Sequence, residues 1–228
     1  MDFFEKLKRS AESRRSLLCV GLDPRVEVSS SESAYEVILA ETRRIIEATA
    51  SVAACYKPNS AFYEQHGAEG IRALAETIRL IPDETPVLLD CKRGDIGSTA
   101  EAYARYAFDY LKADAVTVAP YMGRDAADPF LAYEGRGVFV LTRTSNPSAA
   151  TFQEQMREGR PLYREVASEA LSWSQRVGLV VAGNNPDVLR ELRSAHPDSW
   201  FLAPGIGAQG GEAEPAMLAG ARSDALGI

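Results

Sequence analysis

The stretch LLDCKRGDIGSTAEAYA, beginning at Leu88, carries four charges, Asp90, Lys92, Arg93 and Asp95, within six residues at the end of an apolar run. A buried unpaired charge is expensive, and even paired charges recover that cost only in good geometry. Such a cluster pairs, stays wet, or does chemistry. Asp90 and Lys92 are two residues apart, so on a strand they share a face while Cys91 points away. Lys57 ends another apolar segment, VAACYK, and is followed by Pro58 and Asn59. Adjacent strands lie about 4.8 Å apart, so Lys57, Asp90 and Lys92 can assemble an ammonium–carboxylate–ammonium group. Asp95 breaks the parity and belongs to the loop before the next helix, where it can reach this cluster or a partner subunit. A structural ion-pair network is the bland alternative. Charges alternating at the ends of two adjacent central strands favour chemistry.

A lysine between carboxylates is held protonated, because nearby opposite charge favours its charged form. That suits a general acid delivering a proton to carbon better than a neutral, Schiff-base-forming amine. A fixed carboxylate beside a substrate carboxylate repels it by roughly 4 kcal/mol at about 4 Å and an effective dielectric near 20. Loss of CO2 relieves the repulsion, and the ammonium groups stabilise the carbanion that forms.

The elements that must position these groups are short apolar segments alternating with helical patterns. Strands are predicted at 17–23, 52–57, 86–92, 115–120, 137–143, 178–183, 200–205 and 224–228. Most are apolar throughout, as strands buried on both faces should be. Between them lie amphipathic patterns such as YEVILAETRRIIEATA, AEGIRALAETIRLI and AEAYARYAFDYLKA. Ser98 and Glu101 have capping-box spacing, which places a helix start just after the charged cluster. Eight strand–helix units in 228 residues favour an α/β fold, a (β/α)8 TIM barrel, over an open doubly wound sheet. The chain ends at Ile228 inside the eighth predicted strand, so the expected barrel is truncated there. The longest irregular stretch, 144–160, is expected to be a functional loop.

Composition bounds the function. The chain is 46% hydrophobic and 25% charged, which fits a single domain spanning 1–228. A net charge of −7 without a Lys/Arg stripe speaks against nucleic-acid binding. The start, MDFFEKLKRSAESRR, is charged throughout and reads as no signal peptide, and no apolar run approaches a membrane span. Cys19, Cys55 and Cys91 argue against a disulfide framework and for a cytoplasmic protein. Their equal 36-residue spacing hints at a structural unit of that length.

In a parallel barrel the active site forms at the C-terminal ends of the strands. The polar residues fall there: Asp23, then Lys57-Pro58-Asn59, then Asp90, Lys92 and Asp95, then Thr144-Ser145-Asn146, then Pro204-Gly205-Ile206-Gly207. DxKxxD after a strand-two lysine resembles the orotidine 5′-phosphate decarboxylase family. The form DCKRGDIGST, preceded by YKPNSAFYE, is similar to its bacterial branch with the KRGDI motif. The likeness continues through LTRTSNPS and APGIGAQGG, nearly the whole chain. It implies decarboxylation of orotidine 5′-phosphate to UMP by a homodimer, with neither metal nor organic cofactor. Lys57, Asp90, Lys92 and Asp95 would form the catalytic tetrad, Asp95 donated across the dimer interface and Lys92 protonating C6. Asp23 would bind ribose hydroxyls, Thr99 would bind ribose from the partner subunit, and Ser145 or its neighbour Asn146 would bond the pyrimidine.

Phosphate would lie at the loops after strands seven and eight. There Gly205-Ile206-Gly207, following Pro204, supplies main-chain N–H groups that can approach an anion, and Gln209-Gly210-Gly211 adds flexibility. The family's phosphate-binding arginine follows strand eight, past Ile228. Arg222 precedes that strand, at its opposite end, and does not take the role. Magnesium-dependent sugar-phosphate decarboxylases and synthases share DxKxxD and are the enzymatic alternative. An inactive phosphate-ligand-binding barrel, or a fragment of a larger pyrimidine-synthesis protein, is the other. Arg93-Gly94-Asp95 spells an adhesion tripeptide by chance. His66 and His196 read as surface residues, Trp173 and Trp200 as packing, and Arg14-Arg15 as solvated surface.

Overall fold

The continuously apolar segments become parallel strands covered on both faces. The structure, a computed structural model, describes residues 1–207 and 210–222. Its strands are β1 Cys19–Leu22, β2 Cys55–Pro58, β3 Leu88–Arg93, β4 Ala115–Val118, β5 Gly137–Arg143, β6 Val177–Val181 and β7 Phe201–Leu202. β1 pairs with β2, and β3 to β7 pair in chain order, all parallel. Bridges Tyr56–Val87 and Asn59–Asp90 join the two sets, so seven strands follow one another around the wall of a (β/α)8 barrel. The predicted eighth strand, 224–228, lies outside the described residues.

Strand parity divides the barrel interior into layers. The inward positions at the lower end are Cys55, Leu88, Ala115, Phe139 and Val180, one apolar cluster. Two residues further along β2, β3 and β4, the same face carries Lys57, Asp90 and Thr117. The sequence thus places an apolar layer directly beneath a polar one. Outside the wall, the Ala34–Thr49 helix buries Ala34, Ile38, Thr42 and Ile46 along one stripe. It packs on the Gly67–Leu80 helix, where the Thr42 and Thr77 hydroxyls meet at 3.0 Å in the apolar contact. No helix among the described residues is long and apolar enough to cross a membrane.

The charged N-terminal stretch is itself an amphipathic helix, Phe3–Arg14. Asp2 and Glu5 form a reciprocal capping box at its start, with main-chain-to-carboxylate bonds of 2.8 and 3.0 Å. Phe3 and Phe4 close the bottom of the barrel edge-to-face against Phe139, at 5.9 and 5.7 Å, and Phe4 stacks on Trp200. Gly137 leaves room for this plug: a Cβ there would lie 2.6 Å from the Phe3 ring. Asp114 bolts the helix in place, accepting from Lys6 Nζ at 2.8 Å, Arg136 Nη1 at 3.2 Å and the Val87 amide at 2.9 Å. Asp114→Ala leaves two half-buried cations and one amide without this partner. It should lower unfolding free energy by about 2–3 kcal/mol in a urea titration. A loss below about 0.5 kcal/mol would show the bolt to be dispensable.

Several expectations change. The Gly97–Arg105 helix begins after Ile96 with no side-chain cap, so Ser98 lies inside it and the expected capping box is absent. Segment 144–160 is not irregular. It forms a 3-10 turn Pro147–Ala149, a helical turn Ala150–Gln153, and a ribbon pairing Met156–Arg157 with Arg160–Pro161. Arg14 is not solvated surface: it bonds Thr85 Oγ1 at 2.6 Å and the Ala50 carbonyl at 3.3 Å. His66 and His196 are half-buried rather than exposed, and burial together with Arg193 pushes the His196 imidazole below its usual range. Cys19 and Cys55 are register partners, whereas Cys91 lies one residue past Asp90, the partner of Asn59. Equal spacing of the cysteines therefore reflects the length of the repeating unit only between the first two. Trp173 and Trp200 pack as expected, Trp173 buried and Trp200 against Phe4.

Candidate active site

The upper polar layer draws Lys57, Asp90 and Lys92 together. Lys57 Nζ lies 3.2 Å from Asp90 Oδ2, and Lys92 Nζ lies 2.7 Å from Asp90 Oδ1. Asp90 is buried, at 8% exposure, and its own main chain is pinned by the Ser60 amide, which donates to its carbonyl at 3.2 Å. Burial pushes the Asp90 carboxyl up, but Lys57, Lys92 and the Thr117 hydroxyl together hold it below the usual carboxylate range. Burial likewise works against the Lys57 ammonium, and Asp90, Asp23 and Cys19 outweigh it, so Lys57 stays charged. The two ammonium groups differ in access: the Lys57 side chain is 15% exposed and that of Lys92 49%.

Plain alternation does not bring Lys92 to Asp90. In a regular strand, side chains two apart stand about 6.6 Å from each other. Here the β3–β4 register pairs Leu89 with Val116 and Arg93 with Val118, so Asp90, Cys91 and Lys92 all face the single Thr117. Lys92 takes a left-handed conformation, φ 46°, at a cost of about 1–2 kcal/mol for a residue with a Cβ. The Thr117 hydroxyl absorbs the mismatch. It accepts from the Cys91 and Lys92 amides at 3.0 and 2.9 Å and donates to Asp90 Oδ1 at 2.9 Å. Thr117 was not among the expected site residues. Its signal was present: in AVTVAP it is the one polar side chain, two positions above inward-facing Ala115.

Arg93 ties two of the quoted motifs together. It pairs with Glu64 of YKPNSAFYE at 2.7 Å and lies over the Tyr103 ring at 4.7 Å. Gly94 follows because the chain passes close to β4, where a Cβ would meet that of Ala119 at 3.1 Å. Asp95 stands apart from the lysines. It is half-buried, accepts from the Ile96 amide at 2.8 Å, and makes no ion pair among the described residues. Thr99 is exposed on the first turn of the following helix.

Asp23, Ser145, Pro204, Gly205 and Gly207 follow their strands at the same end of the barrel. Asp23 follows β1, and its Oδ1 is buried without a hydrogen-bond partner among the described residues. After β5, Arg143 is buried against Glu154 at 2.6 Å, and Gln153 folds back to accept from the Thr144 amide at 2.8 Å. Ser145 is half-buried, with its carbonyl accepting from Asn184 at 3.3 Å. Asn146 is exposed, and its side-chain oxygen accepts from Thr144 Oγ1 at 2.6 Å.

After β7, Pro204 accepts from the Gly183 amide at 2.7 Å, and Gly205 and Gly207 both have positive φ. Against expectation, the Gly207 amide turns inward and donates to the Gly211 carbonyl at 2.9 Å, because the turn closes on itself. Gln209 lies outside the described residues. Arg222 stacks on Trp200 at 5.0 Å at the bottom of the barrel, away from this mouth. A separate groove of about 970 Å³ lies outside the wall, between the Leu162–Trp173 and Pro186–Ala195 helices. Two of its arginines are already paired, Arg157 with Glu165 and Arg164 with Glu191.

Fold and mouth together define a (β/α)8 barrel with a prearranged ammonium–carboxylate–ammonium array at the C-terminal ends of its strands. The family model described as "Orotidine 5′-phosphate decarboxylase / HUMPS family" matches residues 16–225. The orotidine 5′-phosphate decarboxylase of Thermomicrobium roseum is 50% identical over 227 residues, covering 96% of this chain and 81% of that protein. A solved OMP decarboxylase from Leishmania donovani superposes with a TM-score of 0.90 at 44% identity, over all of this chain and 87% of its own. The UMP synthase structure from the same organism has a TM-score of 0.92 at 47% identity; the match covers 98% of this chain and 49%, about half, of that one. The chain belongs to the orotidine 5′-phosphate decarboxylase / HUMPS family.

Proposed function

We propose that this protein is a cytoplasmic enzyme that decarboxylates orotidine 5′-phosphate to UMP and CO2, the last step of de novo UMP formation. It would act as one barrel domain in a homodimer without metal or organic cofactor. The observation that carries the reading is Asp90, an anion held between two ammonium groups at the mouth of a barrel of this family. A substrate carboxylate set beside Asp90 is repelled, and the repulsion ends when the carbon–carboxyl bond breaks. The electron pair stays on C6, where the Lys92 ammonium stabilises it and then supplies the proton. Solvent returns that proton to Lys92, so one proton is consumed for each CO2 released. Lys57, the more buried lysine, keeps Asp90 ionised and in place. Asp95 of the partner subunit completes the tetrad.

Asp23, whose buried Oδ1 has no hydrogen-bond partner among the described residues, suits ribose hydroxyl donors, and Thr99 of the partner subunit joins it on the ribose. Ser145, or its neighbour Asn146, would bond the pyrimidine. Phosphate would meet the turn at Pro204, Gly205 and Gly207 through the amides of Gly205 and Ile206, with Gln209 as a further ligand. Ultraviolet-monitored loss of orotidine 5′-phosphate in excess EDTA tests the proposal. Full turnover is expected. Activity that disappears on chelation would favour a magnesium-dependent relative, and nucleotide binding without turnover would mark an inactive barrel.

A further inference from the structure

The Thr117 hydroxyl has one proton to donate and two lone pairs. Both lone pairs are taken by main-chain amides, those of Cys91 and Lys92, at 3.0 and 2.9 Å. An amide cannot reverse its role, so the hydroxyl proton must point elsewhere, and Asp90 Oδ1 at 2.9 Å receives it. Thr117 is 1% exposed, so water does not compete for these bonds. We propose that Thr117 is a positioning residue for the decarboxylation, relaying two main-chain N–H groups onto Asp90 so that this carboxylate stays ionised and Lys92 stays turned toward it. The inference rests on the reading that Asp90 and Lys92 act on the substrate.

Two consequences follow from the geometry. A proton placed on Asp90 Oδ1 would face another donor, so the hydroxyl penalises the neutral acid. The Cys91 and Lys92 amides, freed from the ladder by the three-against-one register, have the hydroxyl as their acceptor in a part-buried setting. Without it, Lys92 has less reason to keep φ 46° and the 2.7 Å contact with Asp90. Among the described residues the charged groups that face Asp90 are Lys57 from β2 and Lys92 from β3. Cys19 of β1 and Asp23 just after it act in turn on Lys57.

Wild type, Thr117→Val and Thr117→Ser are compared by kcat, KM, UMP binding and the pH dependence of kcat, with folding checked by circular dichroism. Valine matches threonine in shape and lacks the hydroxyl. Its kcat should fall about 100-fold with KM and UMP affinity within about threefold, since misplaced reacting groups cost rate rather than binding. Its acid limb should move up by about one pH unit, because the anion has lost a donor. Serine keeps the hydroxyl and should stay within about threefold of wild type with an unmoved acid limb.

A folded valine variant with wild-type kcat and acid limb overturns the assignment. So does a serine variant as impaired as valine, which would trace the effect to methyl packing. Should valine not fold, Thr117→Ala is held to the same criteria. A wild type that fails to consume orotidine 5′-phosphate overturns the decarboxylase reading itself and takes this assignment with it; that outcome is visible before any variant is measured.

Discussion

Lys92→Ala should lower kcat for orotidine 5′-phosphate by about 10⁴-fold or more while UMP binding weakens less than about tenfold. In the proposed reaction the lysine would stabilise a carbanion and then protonate it, two tasks that exist only along the reaction coordinate. Its removal therefore appears in kcat rather than in affinity. Geometry separates it from Lys57. Both touch Asp90, yet the Lys92 side chain is 49% exposed and Lys57 15%, so only Lys92 presents its ammonium outward. Arginine should not rescue, because a guanidinium holds its proton too tightly to release it. Since Lys92 is half exposed, the alanine variant should melt within a few degrees of wild type. A kcat within tenfold of wild type would remove Lys92 from the role of proton donor.

Mixing two inactive variants should restore activity. Asp95 pairs with neither lysine of its own chain among the described residues, and Thr99 stands exposed one helical turn further on. Both positions fit residues given to a neighbour's site. Lys92→Ala and Asp95→Asn homodimers should each be inactive. Subunit exchange in a 1:1 mixture makes about half of the dimers mixed, each with one intact and one doubly broken site, so about one quarter of wild-type turnover returns. No recovery, with subunit exchange verified by mass, would place Asp95 in its own protomer's site and defeat the shared arrangement. The same mixture made from Lys92→Ala and Lys57→Ala should stay inactive, because those two lysines belong to one site.

Most of the fold was legible because its signal is local. A strand buried on both faces must be apolar throughout, and seven of the predicted segments coincide with β1 to β7 to within a few residues. The helix Ala34–Thr49 follows from its i, i+4 stripe. Where the reading went astray, a distant partner had intervened. Ser98 was expected to cap a helix, but the chain enters that helix at Gly97, φ 55°, before Ser98 is reached. Arg14 looked solvated until Thr85 and the Ala50 carbonyl folded over it. The 144–160 segment gains its order from Gln153 and Glu154 reaching back to Thr144 and Arg143.

The candidate site divides the same way. Residue types and a period of two were enough to place Lys57 and Asp90 on the inner face of adjacent strands, because side-chain direction on a strand is set by parity alone. They were also enough to name Lys92 as their companion, though for an incomplete reason. Tertiary structure decided how Lys92 arrives: β4 offers one residue against three of β3, and a buried hydroxyl, a long way off in sequence, satisfies what that mismatch exposes. It also decided that the barrel is stoppered from below by Phe3 and Phe4, whose stretch reads in sequence only as charged and without a signal peptide until Asp114 and Phe139 are beside it. Periodicity is a property of the chain. Hydrogen-bond saturation and packing are properties of neighbours, and those exist only after folding.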